Sequence, residues 1–192
     1  MENIILNMLR ESIAIKEKFV KSNIEHIERA TDRLVSCLVS GNKILLFGNG
    51  GSAADAQHIA AEFVNRFQIE RPPLAAIALT TDTSIITSIG NDYHFDQIFS
   101  RQIQALGKKD DVAIGISTSG NSKNVIAAIH IAKEMGLFTI GMTGRGGKLA
   151  ECADLVFKVE SDTTARVQEA HNILGHLLCD LVDRKLYPGE FR

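Results

Sequence analysis

The sequence predicts an α/β protein in which one parallel β-sheet is covered by helices on both faces. Short, continuously apolar segments of strand length alternate with longer segments whose apolar residues recur at helical spacing. Strands without polar alternation are typical of a parallel sheet that is buried on both sides. Three of these strands also end in glycine-rich loops, and open α/β sheets bind their ligands beyond the carboxyl ends of the strands.

The N-terminal 40 residues come before this alternation and contain no predicted strand. Their apolar residues, among them Ile5, Leu9 and Ile13, recur at helical spacing and predict two helices. We expect a break near Ser22–Asn23 and the end of the second helix at Gly41–Asn42. Because these helices have no strand of their own, we expect them to pack on the rest of the domain or on a neighbouring subunit.

From residue 43 onward, strands and helices alternate. Strands are predicted at 43–47, 75–79, 111–116, 138–142 and 154–158. Helices are predicted at 53–66, 83–90, 95–105, 122–135 and 164–186. No linker, low-complexity tract or repeat of fixed period interrupts the chain, and 192 residues are enough for one core. The sequence therefore predicts a single domain over residues 1–192.

Composition and charge narrow the classes of function. The net charge of −2 gives no electrostatic support for non-specific binding of nucleic acid. No apolar run reaches the length of a membrane span, and the N-terminus lacks the apolar region of a signal peptide. The cysteines, Cys37, Cys152 and Cys179, are odd in number and form no CxxC pair. We therefore expect free, buried thiols, a cytoplasmic location, and neither a nucleic-acid nor a membrane partner.

Glycine-rich loops follow three of the predicted strands: "GNGGSA" at 48–53, "STSGNSKN" at 117–124 and "TGRGGK" at 143–148. Glycine lets backbone N–H groups approach an anion, and the helix that follows directs its positive dipole end toward the same point. The first loop alone has two interpretations. It fits a dinucleotide fingerprint of the form G-x-G-x-x-A, and it also fits a tight turn from strand to helix.

The second loop indicates a terminal phosphate. Four hydroxyl groups surround Gly120 at a predicted helix start, and they belong to Ser117, Thr118, Ser119 and Ser122. Hydroxyl donors and free backbone N–H groups suit the three oxygens of such a phosphate. The absence of a GK[ST] motif argues against a nucleoside triphosphate site. Ser122 could instead be a plain helix N-cap, although that role does not explain all four hydroxyls.

A second cluster of polar residues lies on two predicted helices. His58 and Glu62 are four residues apart and therefore share one helix face, either as a surface pair or as part of a site. The C-terminal helix places Gln168, Glu169, His171 and His176 within an apolar pattern. Imidazole, carboxylate and amide groups together can hold a borderline metal such as zinc, although an amide ligand is unusual.

The other histidines are predicted to have structural roles. His171 is five residues from His176, so the two lie on different faces of the C-terminal helix and are not expected to act together. We interpret His26, His94 and His130 as surface or packing residues.

Four segments resemble the phosphoheptose isomerases of the sugar-isomerase (SIS) domain superfamily. They read "GNGGSAADAQHIAAEF", "TTDTSIITSIGNDY", "GISTSGNSKNV" and "ARVQEAHNILGH", and the resemblance extends over essentially the whole chain. It implies a five-stranded parallel sheet with flavodoxin-like winding and a homotetramer with active sites between subunits. It also implies conversion of D-sedoheptulose 7-phosphate to D-glycero-D-manno-heptose 7-phosphate, the first committed step toward the activated heptose of bacterial surface polysaccharides such as lipopolysaccharide.

The resemblance also implies roles for individual residues. It implies substrate binding by Asn49, Gly50, Gly51, Glu62, Asn91, Asp92, Ser117, Thr118, Ser119, Ser122 and Gln168. It implies one zinc ion per subunit, held by His58, Glu62, Gln168 and His176. Glu62 is expected to be the catalytic base and His176 the acid in an enediol mechanism. Some members of the family have an aspartate where this chain has Ala165, so another group or water must replace that carboxylate here.

Two non-enzymatic functions are compatible with the same fold. One is a protein that binds the bacterial replication initiator, and the other is a regulatory domain that senses a sugar phosphate. Neither function has a reason to keep Glu62 and His176 together with His58 and Gln168, and all four are present. The sequence therefore predicts the isomerase.

Overall fold

The computed structural model describes residues 1–191 and contains a single sheet of five parallel strands. The strands are β1 (Ile44–Gly48), β2 (Ala76–Ala78), β3 (Val112–Ser117), β4 (Phe138–Thr143) and β5 (Leu155–Lys158). Their order in the sheet is β2-β1-β3-β4-β5, and every neighbouring pair is parallel. This is the flavodoxin-like order, so the predicted fold class is confirmed.

Helices cover both faces of this sheet. They are α1 (Glu2–Ser22), α2 (Ile24–Val39), α3 (Gly51–Val64), α4 (Thr83–Asp92), α5 (Ser100–Leu106), α6 (Lys123–Glu134), α7 (Leu149–Cys152) and α8 (Thr164–Leu186). Single 3₁₀ turns occur at Phe95–Gln97 and Pro188–Glu190. The predicted break near residue 22 and the long C-terminal helix both agree with these bounds.

Successive residues of the central strands enter two different cores. Ile44 and Leu46 of β1 face the core formed with α2, α3 and α8. Leu45 and Phe47 face the core formed with α4, α5 and α6. All four side chains are fully buried, which explains why the strand has no polar alternation in the sequence.

The prediction differed from the structure in two segments. The helix predicted over 95–105 is divided into a 3₁₀ turn and α5, and the buried amide of Gln102 donates to the carbonyl oxygens of Ile98 and Leu79. The Gln102 amide thus occupies the carbonyl oxygen of Ile98, which in a continuous helix would accept a hydrogen bond from a backbone N–H. The short helix α7, at 149–152, was not predicted, because four residues are too few to show a period.

The two N-terminal helices are held differently. One face of α2 is buried, and Ile27, Leu34 and Cys37 lie in the core. In α1 the hydroxyl of Ser12 donates to Glu169 Oε2 at 2.5 Å, which attaches that helix to α8. A second face of α1 is exposed and apolar, and its side chains are Ile4, Ile5, Met8, Leu9 and Ile13.

The three cysteines are free thiols. Cys37 and Cys179 are buried and Cys152 is half-buried. Burial raises the pKa of the Cys37 thiol to about 11, so this thiol stays protonated at neutral pH. Across residues 1–191, no helix combines the length and the low polarity that crossing a membrane would require.

Candidate active site

The three glycine-rich loops meet at the carboxyl edge of the sheet, because they follow the parallel strands β1, β3 and β4. We call the segments 48–53, 117–124 and 143–148 together the loop edge. Its parts are joined by side chains. Asn49 and Asn124 exchange two amide hydrogen bonds of 2.9 Å each, so the first loop is attached to the start of α6.

Hydroxyl groups converge in the second loop. The Ser117 hydroxyl donates to Ser122 Oγ at 2.9 Å, and Ser119 Oγ lies 3.4 Å from Ser117 Oγ. Ser122 occupies the N-cap position of α6, yet its side chain makes no capping hydrogen bond. The plain N-cap role therefore does not explain this serine. Its hydroxyl lies with the others at the positive end of a 12-residue helix.

The third loop supports the second through backbone contacts. Gly144 N–H donates to Thr118 O at 3.0 Å, and Leu149 N–H donates to Gly120 O at 2.9 Å. Gly120 has a φ of +67°, and a side chain there would collide with the carbonyl of Gly146. Only glycine fits this position. The "TGRGGK" segment thus shapes the hydroxyl loop.

Arg145 adds little free positive charge to this region. A cavity of about 460 Å³ is lined by Thr118, Ser119 and Arg145, among others. The Arg145 guanidinium forms a two-point ion pair with Asp162, with N–O distances of 2.6 and 2.9 Å. An anion bound at Ser119 would therefore rely on hydroxyls, backbone N–H groups and the helix dipole.

Three predicted metal ligands meet between α3 and α8. His58 Nε2 lies 3.0 Å from Glu62 Oε1 and 3.3 Å from His176 Nε2. The His176 ring is stacked on Phe67 at 5.4 Å between ring centroids. We call His58, Glu62 and His176 the triad. Two Nε2 atoms that face each other at this distance can share one proton or one cation.

Gln168 does not join the triad within one protomer. It lies eight residues before His176 on α8, about 12 Å along a regular helix. Its side-chain amide packs against the α carbon of Gly51, where any larger residue would collide with it. Gln168 therefore lies beside the first glycine-rich loop, while His176 lies beside the later turns of α3.

Asn91 and Asp92 are exposed in the last turn of α4. The Asn91 amide donates to Asp92 Oδ1 at 2.8 Å. In the described part of the chain, neither side chain bonds to a predicted site residue outside this pair. Gly50 is exposed at the N-cap of α3, beside Asn49.

The remaining histidine of α8 is structural. His171 is fully buried, and its Nε2 lies 3.2 Å from the carbonyl oxygen of Thr143. Because a carbonyl only accepts, Nε2 donates, and the buried Nδ1 keeps its lone pair without a partner among residues 1–191. Burial lowers the pKa of His171 to about 4, and the hydrogen bond to the Thr143 carbonyl opposes this shift. His171 is therefore neutral near pH 7 and is separate from the triad, as predicted.

Two residues of this region were not singled out from the sequence. Asn124 connects two loops, and its only local signal is its position two residues after Ser122. Asp55 lies one turn before His58 with its Oδ2 buried and unpartnered in the described structure. Burial raises the pKa of Asp55, and the nearby His58 opposes this shift.

The chain resembles known proteins over nearly its full length. The SIS domain family matches residues 8–144. A phosphoheptose isomerase from Nitratidesulfovibrio vulgaris is 56% identical over 187 residues, which cover 97% of this chain and 90% of the relative.

Two solved structures agree with this likeness. A phosphoheptose isomerase from Neisseria gonorrhoeae superposes with a TM-score of 0.89 at 47% identity, over 95% of this chain and 98% of the other. A phosphoheptose isomerase from Francisella tularensis superposes with a TM-score of 0.91 at 40% identity, over 95% and 97% of the two chains. At these coverages the sheet and the loop edge lie within the matched regions.

Proposed function

The chain belongs to the phosphoheptose isomerases, a family of SIS domains and aldose–ketose isomerases, and we propose that it converts D-sedoheptulose 7-phosphate to D-glycero-D-manno-heptose 7-phosphate. This reaction is the first step of activated-heptose biosynthesis, and the expected location is the cytoplasm. The observation that carries the proposal is the triad, in which two imidazoles and a carboxylate meet within hydrogen-bond distance. A protein that only binds the replication initiator has no use for that arrangement.

The substrate phosphate would bind at the hydroxyl loop. Ser117, Ser119 and Ser122 already point their hydroxyls at one another, and Thr118 lines the adjoining cavity. A phosphate would replace these internal contacts with hydrogen bonds to a charged partner, which are stronger. Asn49, Gly50 and Gly51 would then contact the sugar from the neighbouring loop, with Asn91, Asp92 and Gln168 completing the substrate site.

Glu62 is the proposed base. Aldose–ketose isomerisation through an enediol requires removal of a proton from C1 of the ketose and delivery of a proton to C2. Glu62 is half-buried, and only its Oε1 is used in the contact with His58. The second carboxylate oxygen can therefore face the substrate. His176, packed between His58 and Phe67, is the proposed acid that moves a proton between the two substrate oxygens.

The triad fits a zinc ion. Two ligands in a tetrahedral site, each about 2.0–2.1 Å from the ion, lie roughly 3.3 Å from each other. The two separations from His58 Nε2, 3.0 and 3.3 Å, are close to this distance, and all three ligand atoms lie within 4.8 Å of one another. His58, Glu62 and His176 would hold the ion, with one ion per subunit and Gln168 as the proposed fourth ligand. When bound, zinc supplies a Lewis acid that stabilises negative charge on the substrate oxygens.

Assembly into a homotetramer is part of this proposal. The exposed apolar face of α1 is unusual for a monomer, because five large side chains share one helix surface. Gln168 is too far along α8 to reach the triad of its own chain if α8 stays straight. A neighbouring subunit could therefore supply this amide at the site.

The decisive experiment is an assay of the purified protein with sedoheptulose 7-phosphate, with and without a chelator. We expect the aldose 7-phosphate to form, and we expect the activity to be lost on metal removal and restored by zinc. Absence of the aldose under all conditions would contradict the proposed reaction. Full activity after metal has been removed completely would contradict the metal assignment and leave the isomerase intact.

A further inference from the structure

We infer that Arg71 is a positioning residue for the triad, an inference that rests on the metal site proposed above. Arg71 lies in the connection between α3 and β2, and its side chain is fully buried. Its guanidinium reaches both helices that build the triad. Through this contact, Arg71 fixes the position of Glu62 relative to His176.

On one side, the guanidinium caps the end of α3. It donates to the carbonyl oxygens of Glu62 at 2.8 Å and Phe63 at 2.8 Å, and more weakly to that of Asn65 at 3.5 Å. Carbonyls in the last turn of a helix have no partner within the helix, and a positive charge at that end is favourable. Because Glu62 itself is in this turn, Arg71 holds the backbone from which the proposed base projects.

On the other side, the guanidinium is bonded to α8. Arg71 Nε donates to Asp183 Oδ1 at 2.7 Å, and the Asp183 side chain is 1% exposed. Asp183 lies seven residues after His176, close to two full helical turns, so both project from the same face of α8. The clamp formed by Arg71 and Asp183 therefore bridges the same two helices as the triad.

A close helix contact complements the clamp. A side chain on Gly175 would place its β carbon 2.6 Å from Ile59 Cδ1 and 2.7 Å from Ile59 Cγ1. Gly175 directly precedes His176, and Ile59 directly follows His58. The glycine thus lets α3 and α8 approach where the two histidines meet, and the clamp restrains α8 about two turns later and α3 about one turn later.

The connection that contains Arg71 also touches His176 directly. Phe67 of this connection stacks on the His176 ring. The segment from 65 to 75 therefore contacts the triad at the Glu62 backbone and at one imidazole ring. Loss of the Arg71 contacts would therefore remove the restraint on the Glu62 backbone and on the His176 ring.

The test is the zinc affinity of Arg71→Lys and Arg71→Met, measured on the full chain by competition with a chromophoric chelator. The measurements are made at temperatures where circular dichroism shows each variant to be folded. We expect the affinity to fall by about 10- to 100-fold, the range for groups that orient metal ligands. We also expect the Co²⁺ absorption spectrum to change, because it reports ligand geometry.

A second buried ion pair provides the matched control. Lys43 Nζ lies 2.6 Å from Asp111 Oδ2, and the fully buried Asp111 directly precedes β3. Lys43→Met should lower the unfolding temperature and leave the zinc affinity unchanged. If it reduces zinc affinity as much as the Arg71 variants do, the effect is general loss of stability and the inference is wrong.

The remaining outcomes separate this inference from the proposed function. Wild-type protein that binds no zinc overturns the metal assignment and the inference with it. Wild-type protein that binds zinc, together with folded Arg71 variants that bind it equally well, overturns only the role of Arg71. If neither Arg71 variant folds, Asp183→Asn decides in the same assay, and an unchanged affinity there contradicts the inference.

Discussion

The loop edge and the α3–α8 helix pair hold their functional groups by different means. At the loop edge, backbone hydrogen bonds such as those from Gly144 and Leu149 fix the chain, and the hydroxyls follow from its path. Between α3 and α8, the triad depends on side chains whose backbones belong to helices more than 100 residues apart. The loop edge is therefore formed by loops at a single edge of the sheet. The triad, in contrast, forms only when α3 and α8 pack in the correct alignment.

This difference has a consequence for function. A loop that is hydrogen-bonded to its neighbours can bind a phosphate without rearranging, which keeps the entropic cost of binding low. The triad is held only by side chains and is partly exposed, and the His58 side chain is 43% accessible. Its geometry is therefore expected to be more sensitive to substitutions outside the site and to the presence of a partner subunit.

The largest effect should come from removing the proposed base from the helix pair. Glu62→Gln should lower kcat by about 10²–10⁴-fold, the usual contribution of a general base. In heavy water, the wild-type enzyme should incorporate deuterium at C2 of the aldose at early conversion. Glu70→Gln, at an exposed carboxylate in the connection that follows the same helix, is the control and should keep normal turnover.

Two results would contradict this assignment. Substantial activity of Glu62→Gln would exclude Glu62 as the base. Complete absence of deuterium from C2 of the product would favour a direct hydride shift or a proton shielded from solvent.

The next effect concerns the partner subunit. The double variant Leu9→Asp, Ile13→Asp places two charges on the exposed apolar face of α1 and should prevent assembly. We expect smaller particles by light scattering and a drop in kcat of about 10- to 100-fold, as for loss of a group that supports a metal site. Val39→Asp, at an apolar residue that is 71% exposed on α2, is the control and should change neither the particle size nor kcat. A fully active monomer would show that each helix pair functions alone.

A smaller effect is expected at the loop edge. Ser119→Ala removes one hydroxyl from the proposed phosphate site. A hydrogen bond to a charged group contributes about 1.5–3 kcal/mol, so KM should rise by roughly tenfold or more. Ser36→Ala, at an exposed serine of α2, serves as the control. Unchanged KM and kcat in Ser119→Ala would remove this serine from the phosphate site.

The same contrast explains what could be predicted from the sequence. The hydroxyl loop was visible because its groups lie within six residues, and the pairing of His58 with Glu62 followed from the helical period. The separation of Gln168 from the triad was indicated only indirectly. The eight-residue separation between Gln168 and His176 spans too great a length of helix for both side chains to bind one metal ion. Arg71 gave no signal, because its partner Asp183 is 112 residues away and no local pattern connects them.

The last prediction tests the junction of the two regions. His171 projects from α8, and its Nε2 donates to Thr143 O at the end of β4, so it connects the helix pair to the loop edge. Its pKa is lowered by burial to about 4 in the folded protein, against about 6.5 in the unfolded chain. Since the unfolded chain binds the proton more tightly, His171 favours folding above pH 6.5, and this contribution is lost as the pH falls toward 4. The loss amounts to about 3 kcal/mol over that window. Urea unfolding at fixed protein concentration should therefore show a smaller decline for His171→Gln than for the wild type, while exposed His130→Gln follows the wild type. Parallel curves for all three proteins would mean that His171 is already protonated at the junction or does not titrate with unfolding.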